Sequence, residues 1–155
     1  MLRQPVGVVK FRDLRLNTRA QISITRIPRD NMTNLFLDLD DPEVGGVLGA
    51  GDLEVGLDRE NTKQLLAVVQ KAITIPVARN HSWETVGEAE FFWSDHADQS
   101  ETGEDYGTIL IESNGPAMRM VFRTKKWDWE PYVATFSPTV LNELSALLSS
   151  ALHES

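Results

Sequence analysis

The chain has 155 residues, of which 41 % are hydrophobic and 25 % are charged, which is typical of one compact globular domain. It has no cysteine, which excludes disulfides and thiol chemistry and favours a cytoplasmic location, and we expect neither a membrane span nor a secretion signal. The formal net charge of −8 excludes a uniformly basic nucleic-acid-binding protein.

The first half of the chain alternates hydrophobic and polar residues, which predicts four strands followed by a helix. We place the strands near Val6–Phe11, Gln21–Ile27, Asn34–Leu39 and Asp52–Leu57. Asp58 is expected to cap the helix, and Pro76 is expected to end it. The apolar stripe of this helix is Leu65, Val68, Val69, Ala72 and Ile73.

The second half repeats the same order. Strands are predicted near Ala89–Trp93, Thr108–Glu112, Met118–Thr124 and Tyr132–Phe136. Ser137 and Pro138 are predicted as the cap and first residue of a second helix, and setting Asp58 on Ser137 aligns the halves at an offset of 137 − 58 = 79. The stripe of the second helix is Leu141, Leu144, Leu147, Leu148, Ala151 and Leu152.

These patterns predict an α+β fold, a tandem pseudo-repeat in which four antiparallel strands are followed by one helix, twice. Residues 1–155 form a single domain with pseudo-repeats 1–76 and 84–155. The alternative is that any strand, cap and helix unit gives such a match by patterning alone.

Each helix is expected to cover one face of its own sheet, which leaves the alternate strand residues on an open face. The residues predicted to lie on that open face are Phe36, Asp38, Glu54, Arg119, Val121, Arg123, Val133 and Thr135. Arginines and apolar residues on one face suit a nucleic-acid strand, solvent or a second protomer. Because unclosed edges and outer apolar residues favour association, we expect a homodimer or tetramer.

Charge is distributed unevenly along the chain. Residues 1–29 hold seven Lys and Arg against one Asp, a balance of 7 − 1 = +6, which leaves −8 − 6 = −14 for residues 30–155. Acidic residues concentrate in segments 38–43 and 84–105. A second basic group follows at Arg119, Arg123, Lys125 and Lys126.

Binding of a single strand without sequence preference needs cations along a path and flat side chains on which bases stack. The candidate nucleic-acid-binding residues are Lys10, Phe11, Arg12, Arg15, Arg119, Arg123, Lys125 and Trp127. The alternative is that the aromatic residues belong to the core and the arginines to a solvated surface.

Enzymatic signatures are absent from the sequence. It has no nucleophile elbow, no phosphate-binding glycine loop before a helix and no pair of histidines at zinc-ligand spacing. His81, His96 and His153 are scattered. We therefore expect no catalytic residue, no metal and no cofactor.

Two segments carry a family resemblance. Lys126-Trp127-Asp128-Trp129, which runs into the strand and helix start at residues 133–139, looks like part of a half-repeat of the Whirly single-stranded-DNA-binding family. Residues 53–58 look like the last strand and helix start of the related coactivator called positive cofactor four. The architecture also resembles the mitochondrial guide-RNA-binding proteins. The resemblance implies the fold first and single-strand binding second, and the basic Lys-Gly-Lys-Ala-Ala-Leu signature of plant Whirly proteins is missing.

The sequence thus predicts a non-catalytic protein that binds single-stranded DNA or RNA through open sheet faces with low sequence specificity. The alternative is an acidic inhibitor or adaptor, of the phage or immunity type, that binds a basic protein partner through Asp95–Asp105 or through residues 38–43.

Overall fold

The computed structural model describes residues 4–29, 32–40, 52–76, 79–93, 106–124 and 132–153. In these residues the elements are β1 (Gln4–Asp13), β2 (Thr18–Arg29), β3 (Met32–Asp40), β4 (Asp52–Leu57), α1 (Arg59–Ile73), β5 (Glu84–Trp93), β6 (Tyr106–Ser113), β7 (Met118–Thr124), β8 (Tyr132–Phe136) and α2 (Thr139–His153). The strands form one antiparallel sheet in chain order. The α+β class is confirmed.

Five strands, β1, β2, β3, β5 and β6, begin two to five residues earlier than the hydrophobic alternation predicts. β5 begins at Glu84, five residues before the predicted Ala89, and β1 begins at Gln4. Both strands contain an irregularity in their pairing, between Pro5 and Gly7 in β1 and between Thr85 and Gly87 in β5. An extra residue at such a bulge interrupts the period of two, so the alternation starts only beyond it.

Helix α1 begins with the predicted cap. Asp58 Oδ1 accepts the N–H of Asn61 at 2.8 Å, and Asn61 Oδ1 accepts the N–H of Asp58 at 3.4 Å, which is a capping box. The helix ends at Ile73, ahead of Pro76 as predicted. Helix α2 begins at Thr139, one residue after the predicted start.

The inner face of the sheet carries the core, at the alternate positions that the sequence predicts. Its members include Leu35, Leu37, Leu39, Leu53, Val55, Leu57, Met118, Met120, Phe122, Ala134 and Phe136. Burial of each Val, Leu, Met or Phe side chain among them is worth about 1.5–3 kcal/mol relative to exposure. The core is continuous between the two halves, since residues of all eight strands and both helices belong to one cluster.

The helices lie at different places from those expected. Helix α1 packs mainly on β5, helix α2 packs on β1, and the two helices contact each other. The reason lies in the junction of the halves, where β4 and β5 pair only at Val55 with Trp93 and at Gly56 with Phe92. Beyond this short pairing α1 covers the edge of β5 and binds the two halves into one core.

The first and last strands of the sheet meet at one end. The N–H of Leu14, just after β1, donates to the carbonyl of Thr135 in β8 at 2.8 Å. Phe11 and Phe136 pack edge to face, with ring centroids 5.4 Å apart. The sheet is therefore curled, and α2 covers part of β1 next to this meeting point.

Candidate nucleic-acid interface

Four cationic residues lie at the end of the sheet formed by the β1–β2 hairpin. Arg12 pairs in register with Arg19, and Lys10 pairs with Gln21, on the face opposite the core. Arg15 lies in the connecting turn, and the four cationic side chains are exposed. We call Lys10, Arg12, Arg15 and Arg19 the β1–β2 basic surface.

The turn within this surface is held by its own polar groups. Asp13 is buried, and its Oδ1 accepts the N–H groups of Arg15 at 2.9 Å and Leu16 at 3.2 Å. Asn17 adopts φ 56°, a conformation that asparagine tolerates better than most residues. Arg12 Nη1 donates to the carbonyl of Asn17 at 2.9 Å. The carboxylate of Asp13 therefore binds backbone N–H groups of the turn, and the arginine side chains of the hairpin are exposed.

A cleft lies beside the basic surface, between β1 and the start of α2. Its volume is about 370 Å³. The residues that line it are Lys10, Phe11, Arg12, Leu14, Ser137, Thr139, Val140 and Glu143. We call it the β1–α2 cleft, and it brings together three of the predicted binding residues. Phe11 is half-buried and packs on Phe136, so only part of its ring is accessible.

Arg119 is placed differently from its predicted role. Its Nε lies 2.6 Å from Glu112 Oε1, and its guanidinium carbon lies 4.2 Å from the ring centre of Trp83. Glu112 is nearly buried and also accepts the hydroxyl of Thr85 at 3.3 Å. The charge of Arg119 is therefore largely neutralised within the protein, which leaves less of it for a phosphate.

Of the remaining predicted residues, Arg123 is described and does not line the cleft. Arg123 is exposed on the outer face of β7, opposite Thr108 of β6. Lys125 and Trp127 lie outside the described residues, as does the acidic segment Asp95–Asp105.

Two of the three outer apolar residues on which the oligomer expectation depended are already covered within the chain, and the third, Val133, is half-buried. Phe36 is 8 % exposed and Val121 is 3 % exposed. Among the residues that the structure describes, the large apolar side chains that are exposed lie elsewhere, at Val8, Leu14, Leu16 and Ile73. Two of these, Leu14 and Leu16, flank Arg15 in the hairpin turn of the basic surface.

Sequence reasoning missed the hydroxyls and the carboxylate that α2 adds to the cleft. The sequence predicts Ser137 as a helix cap, and it predicts no binding role for Thr139 or Glu143. No local signal shows that the start of α2 faces β1. The pairing of Glu112 with Arg119 depends on the register across the four-residue connection 114–117 between β6 and β7.

The fold and site define an α+β protein with one curled antiparallel sheet and a basic cleft at the meeting of its first strand and last helix. Within the described ranges, no three His, Asp or Glu side chains are grouped as metal ligands. No helix of the described part is long and apolar enough to cross a membrane. Comparison of the chain with protein-family models, curated proteins and solved structures found no match.

Proposed function

We propose that the protein is a non-catalytic binder of single-stranded DNA or RNA with low sequence specificity. The observation that carries the proposal is the β1–β2 basic surface, where four exposed cations stand together although the chain as a whole carries a net charge of −8. Cations along a path, without base-reading side chains, favour contacts to the sugar-phosphate backbone.

Acidic residues on the same face limit where the proposed nucleic-acid strand can lie. Asp38 pairs in register with Glu54 on the outer face of β3 and β4. These strands lie on the far side of β2 from the cleft. Carboxylates there repel phosphates, so a strand is held at the hairpin end and along β1.

The tandem repeat and the Whirly-like fold are part of this proposal. The bulges at Pro5/Gly7 and Thr85/Gly87 support it, because they recur at an offset of 85 − 5 = 80, close to the offset of 79 between the helix caps. The element order also supports it, since a helix follows every fourth strand.

We also propose that the protein forms a homodimer or tetramer in the cytoplasm. Exposed Val8, Leu14 and Leu16 supply apolar surface at the hairpin end. Light scattering at micromolar concentration is expected to give a multiple of the 17.4 kDa chain mass. A monomer at that concentration would remove this part of the proposal.

The decisive experiment measures the binding of a fluorescently labelled oligo-dT strand by fluorescence polarisation over a series of salt concentrations. For single strands the log–log salt slope is about 0.7 per neutralised phosphate, so the double variant Arg15→Gln/Arg19→Gln is expected to lower it by about 1.4. Lys63→Gln, which removes an exposed charge on α1, is the matched control and should leave the slope unchanged.

Two outcomes would contradict the proposal: no binding at low salt, where screening is weakest, or an unchanged slope in the double variant. The acidic inhibitor or adaptor would then be favoured. The described part of its acidic segments is residues 38–40, where Asp38 lies beside Glu54 of β4. Its test is retention of a basic protein partner by the wild type but not by Asp38→Asn/Asp40→Asn.

A further inference from the structure

The edge of β5 that β4 leaves unpaired is closed by side chains of α1. Gln64 Oε1 accepts the N–H of Glu90 at 3.3 Å, and Lys71 Nζ donates to the carbonyl of Val86 at 3.2 Å. Backbone groups at a strand edge need such partners or water. Helix α1 supplies both a donor and an acceptor.

Helix α2 approaches β1 in the same manner. A β-carbon on Gly7 would stand 2.5 Å from Leu147, and one on Gly87 would stand 3.0 Å from Val68. Each of these glycines follows a strand irregularity. These two contacts are equivalent positions, from which the packing of α2 on β1 can be compared with that of α1 on β5.

When α1 and α2 are aligned by these two contacts, α2 lacks side chains that bond to the strand edge as Gln64 and Lys71 do. Glu143 stands where α1 has Gln64, and Ser150, whose side chain is much shorter, stands where α1 has Lys71. Among the described residues, no hydrogen bond joins either side chain to β1. The junction therefore stays open as the β1–α2 cleft.

The open edge of β1 presents backbone donors to this cleft. Lys10 corresponds to Glu90, whose N–H faces α1, so the N–H of Lys10 faces the cleft. Alternate residues of a strand direct their N–H groups to the same edge, which adds Arg12. The N–H of Leu14 points to the same edge of β1, because it donates to the carbonyl of Thr135 in β8.

The side chains of the cleft add further donors. Lys10 and Arg12 contribute cations, and the hydroxyls of Ser137 and Thr139 lie 3.1 Å apart. Glu143 is the one acid among the lining residues, so the formal charge of the lining is 2 − 1 = +1. A site with many donors and a positive charge matches the oxygens of a phosphate group.

Two of the residues that line the cleft, Leu14 and Phe11, belong to the junction of β1 with β8, through the Leu14–Thr135 hydrogen bond and the Phe11–Phe136 contact. Its volume of about 370 Å³ lies at the small end of the range for ligand sites. A small cleft that is bordered by this junction suits the end of a strand better than a chain passing through. We infer that the β1–α2 cleft binds the terminal phosphate of a single strand that lies on the β1–β2 basic surface, an inference that rests on the proposed function.

The test compares oligo-dT strands that carry a 5′-phosphate, a 3′-phosphate or no terminal phosphate, together with a circular oligo-dT. One of the two phosphorylated ends is expected to bind about tenfold more tightly than the unphosphorylated strand, the effect of one charge-assisted hydrogen bond. The circle is expected to bind no better than the unphosphorylated strand, because it offers only internal phosphates.

Two variants link that effect to the cleft. Thr139→Val keeps the shape of the side chain but loses the hydroxyl, and it is expected to reduce the end preference by about fivefold. Glu143→Ala removes the acid and is expected to increase the preference. Ser149→Ala, in the same helix and outside the cleft lining, is the control and should leave the preference unchanged.

The outcomes separate this inference from the proposed function. If strands bind but end phosphorylation changes affinity less than twofold, or the circle binds as well as the phosphorylated end, the cleft inference is wrong and strand binding stands. If no strand binds, thymidine monophosphate decides: amide shifts at Ser137 and Thr139 would support a phosphate site in the cleft, and their absence would overturn it.

Discussion

Gly7 of β1 lies directly under Leu147 of α2, so close that a β-carbon on the glycine would stand 2.5 Å from Leu147 Cδ2. Gly87 of β5 stands in the same relation to Val68 of α1, 3.0 Å from its Cγ2. A glycine in a strand marks a close approach of another element. The two helices thus reach the two strands by the same means, at the start of each half.

Gly7→Ala is expected to destabilise the protein through its contact with Leu147. In a double-mutant cycle, the loss of unfolding free energy in Gly7→Ala/Leu147→Ala should be about 1 kcal/mol smaller than the sum of the losses in the two single variants. The reason is that the smaller side chain at position 147 makes room for the new methyl group. Urea unfolding measures the three variants. Additivity within about 0.5 kcal/mol would show that the two residues do not interact.

Gly107→Ala is expected to be more damaging. A β-carbon on Gly107 would collide with the carbonyl oxygen of Arg123 on the paired strand and with the ring of Phe91, which is fully buried. Neither can move freely, so the cost should be about 3 kcal/mol, the upper part of the range for overpacking.

Gly56→Ala is the matched comparison for Gly107→Ala. The new methyl group would meet the ring of Phe92, which is partly exposed on the outer face and can turn towards solvent. A smaller loss of unfolding free energy is therefore expected. Equal losses in the two variants would contradict the assignment of the Gly107 effect to a fixed backbone oxygen.

Asp58→Ala removes the capping box of α1 and is expected to lower the free energy of unfolding by about 1 kcal/mol. Asp58→Ser keeps an acceptor for the N–H of Asn61 and should restore most of the loss. Thermal unfolding of both variants checks this. A serine variant as unstable as the alanine variant would show that the side-chain acceptor does not stabilise this helix start.

Arg119→Ala is expected to destabilise the fold by about 1–3 kcal/mol, because it leaves the carboxylate of Glu112 nearly buried without its cation. Arg123→Ala changes an exposed side chain and should stay within about 0.5 kcal/mol of the wild type. Denaturant unfolding distinguishes the two. Adding Glu112→Gln to Arg119→Ala should recover part of the loss, and no recovery would contradict a role for the ion pair.

Burial raises the pKa of Tyr132 above its ordinary value of about 10. The unfolded chain then releases this proton at a lower pH than the folded chain does. The contribution of Tyr132 to stability is therefore fully present below pH 10, and it is lost as the pH rises from there towards the pKa of the folded state. Tyr132→Phe should weaken that fall. In a Tyr106→Phe background, where Tyr132 is the one remaining tyrosine, tyrosinate absorbance should titrate above 10; titration at or below 10 would refute the burial effect.

Much of the fold could be predicted from sequence because its determinants are local. Strand alternation put Leu35 and Leu37 in the core, and the side-chain chemistry of Asp58 marked the start of α1. The starts of β1 and β5 were missed because a bulge breaks the period of two. The candidate site was found in part, since Lys10, Phe11 and Arg12 are consecutive in the sequence.

The sequence by itself determined the strands, the helices and their inner faces, because hydrophobic spacing and capping act between residues a few positions apart. Only the tertiary structure decided that Arg119 is paired with Glu112 beneath Trp83, and that the start of α2 lies beside Lys10. The Arg119–Glu112 pair depends on the register of the β6–β7 hairpin. The contacts of Trp83 with Arg119 and of α2 with Lys10 join residues far apart in the chain, and they depend on how the sheet curls and on which strand edge each helix covers.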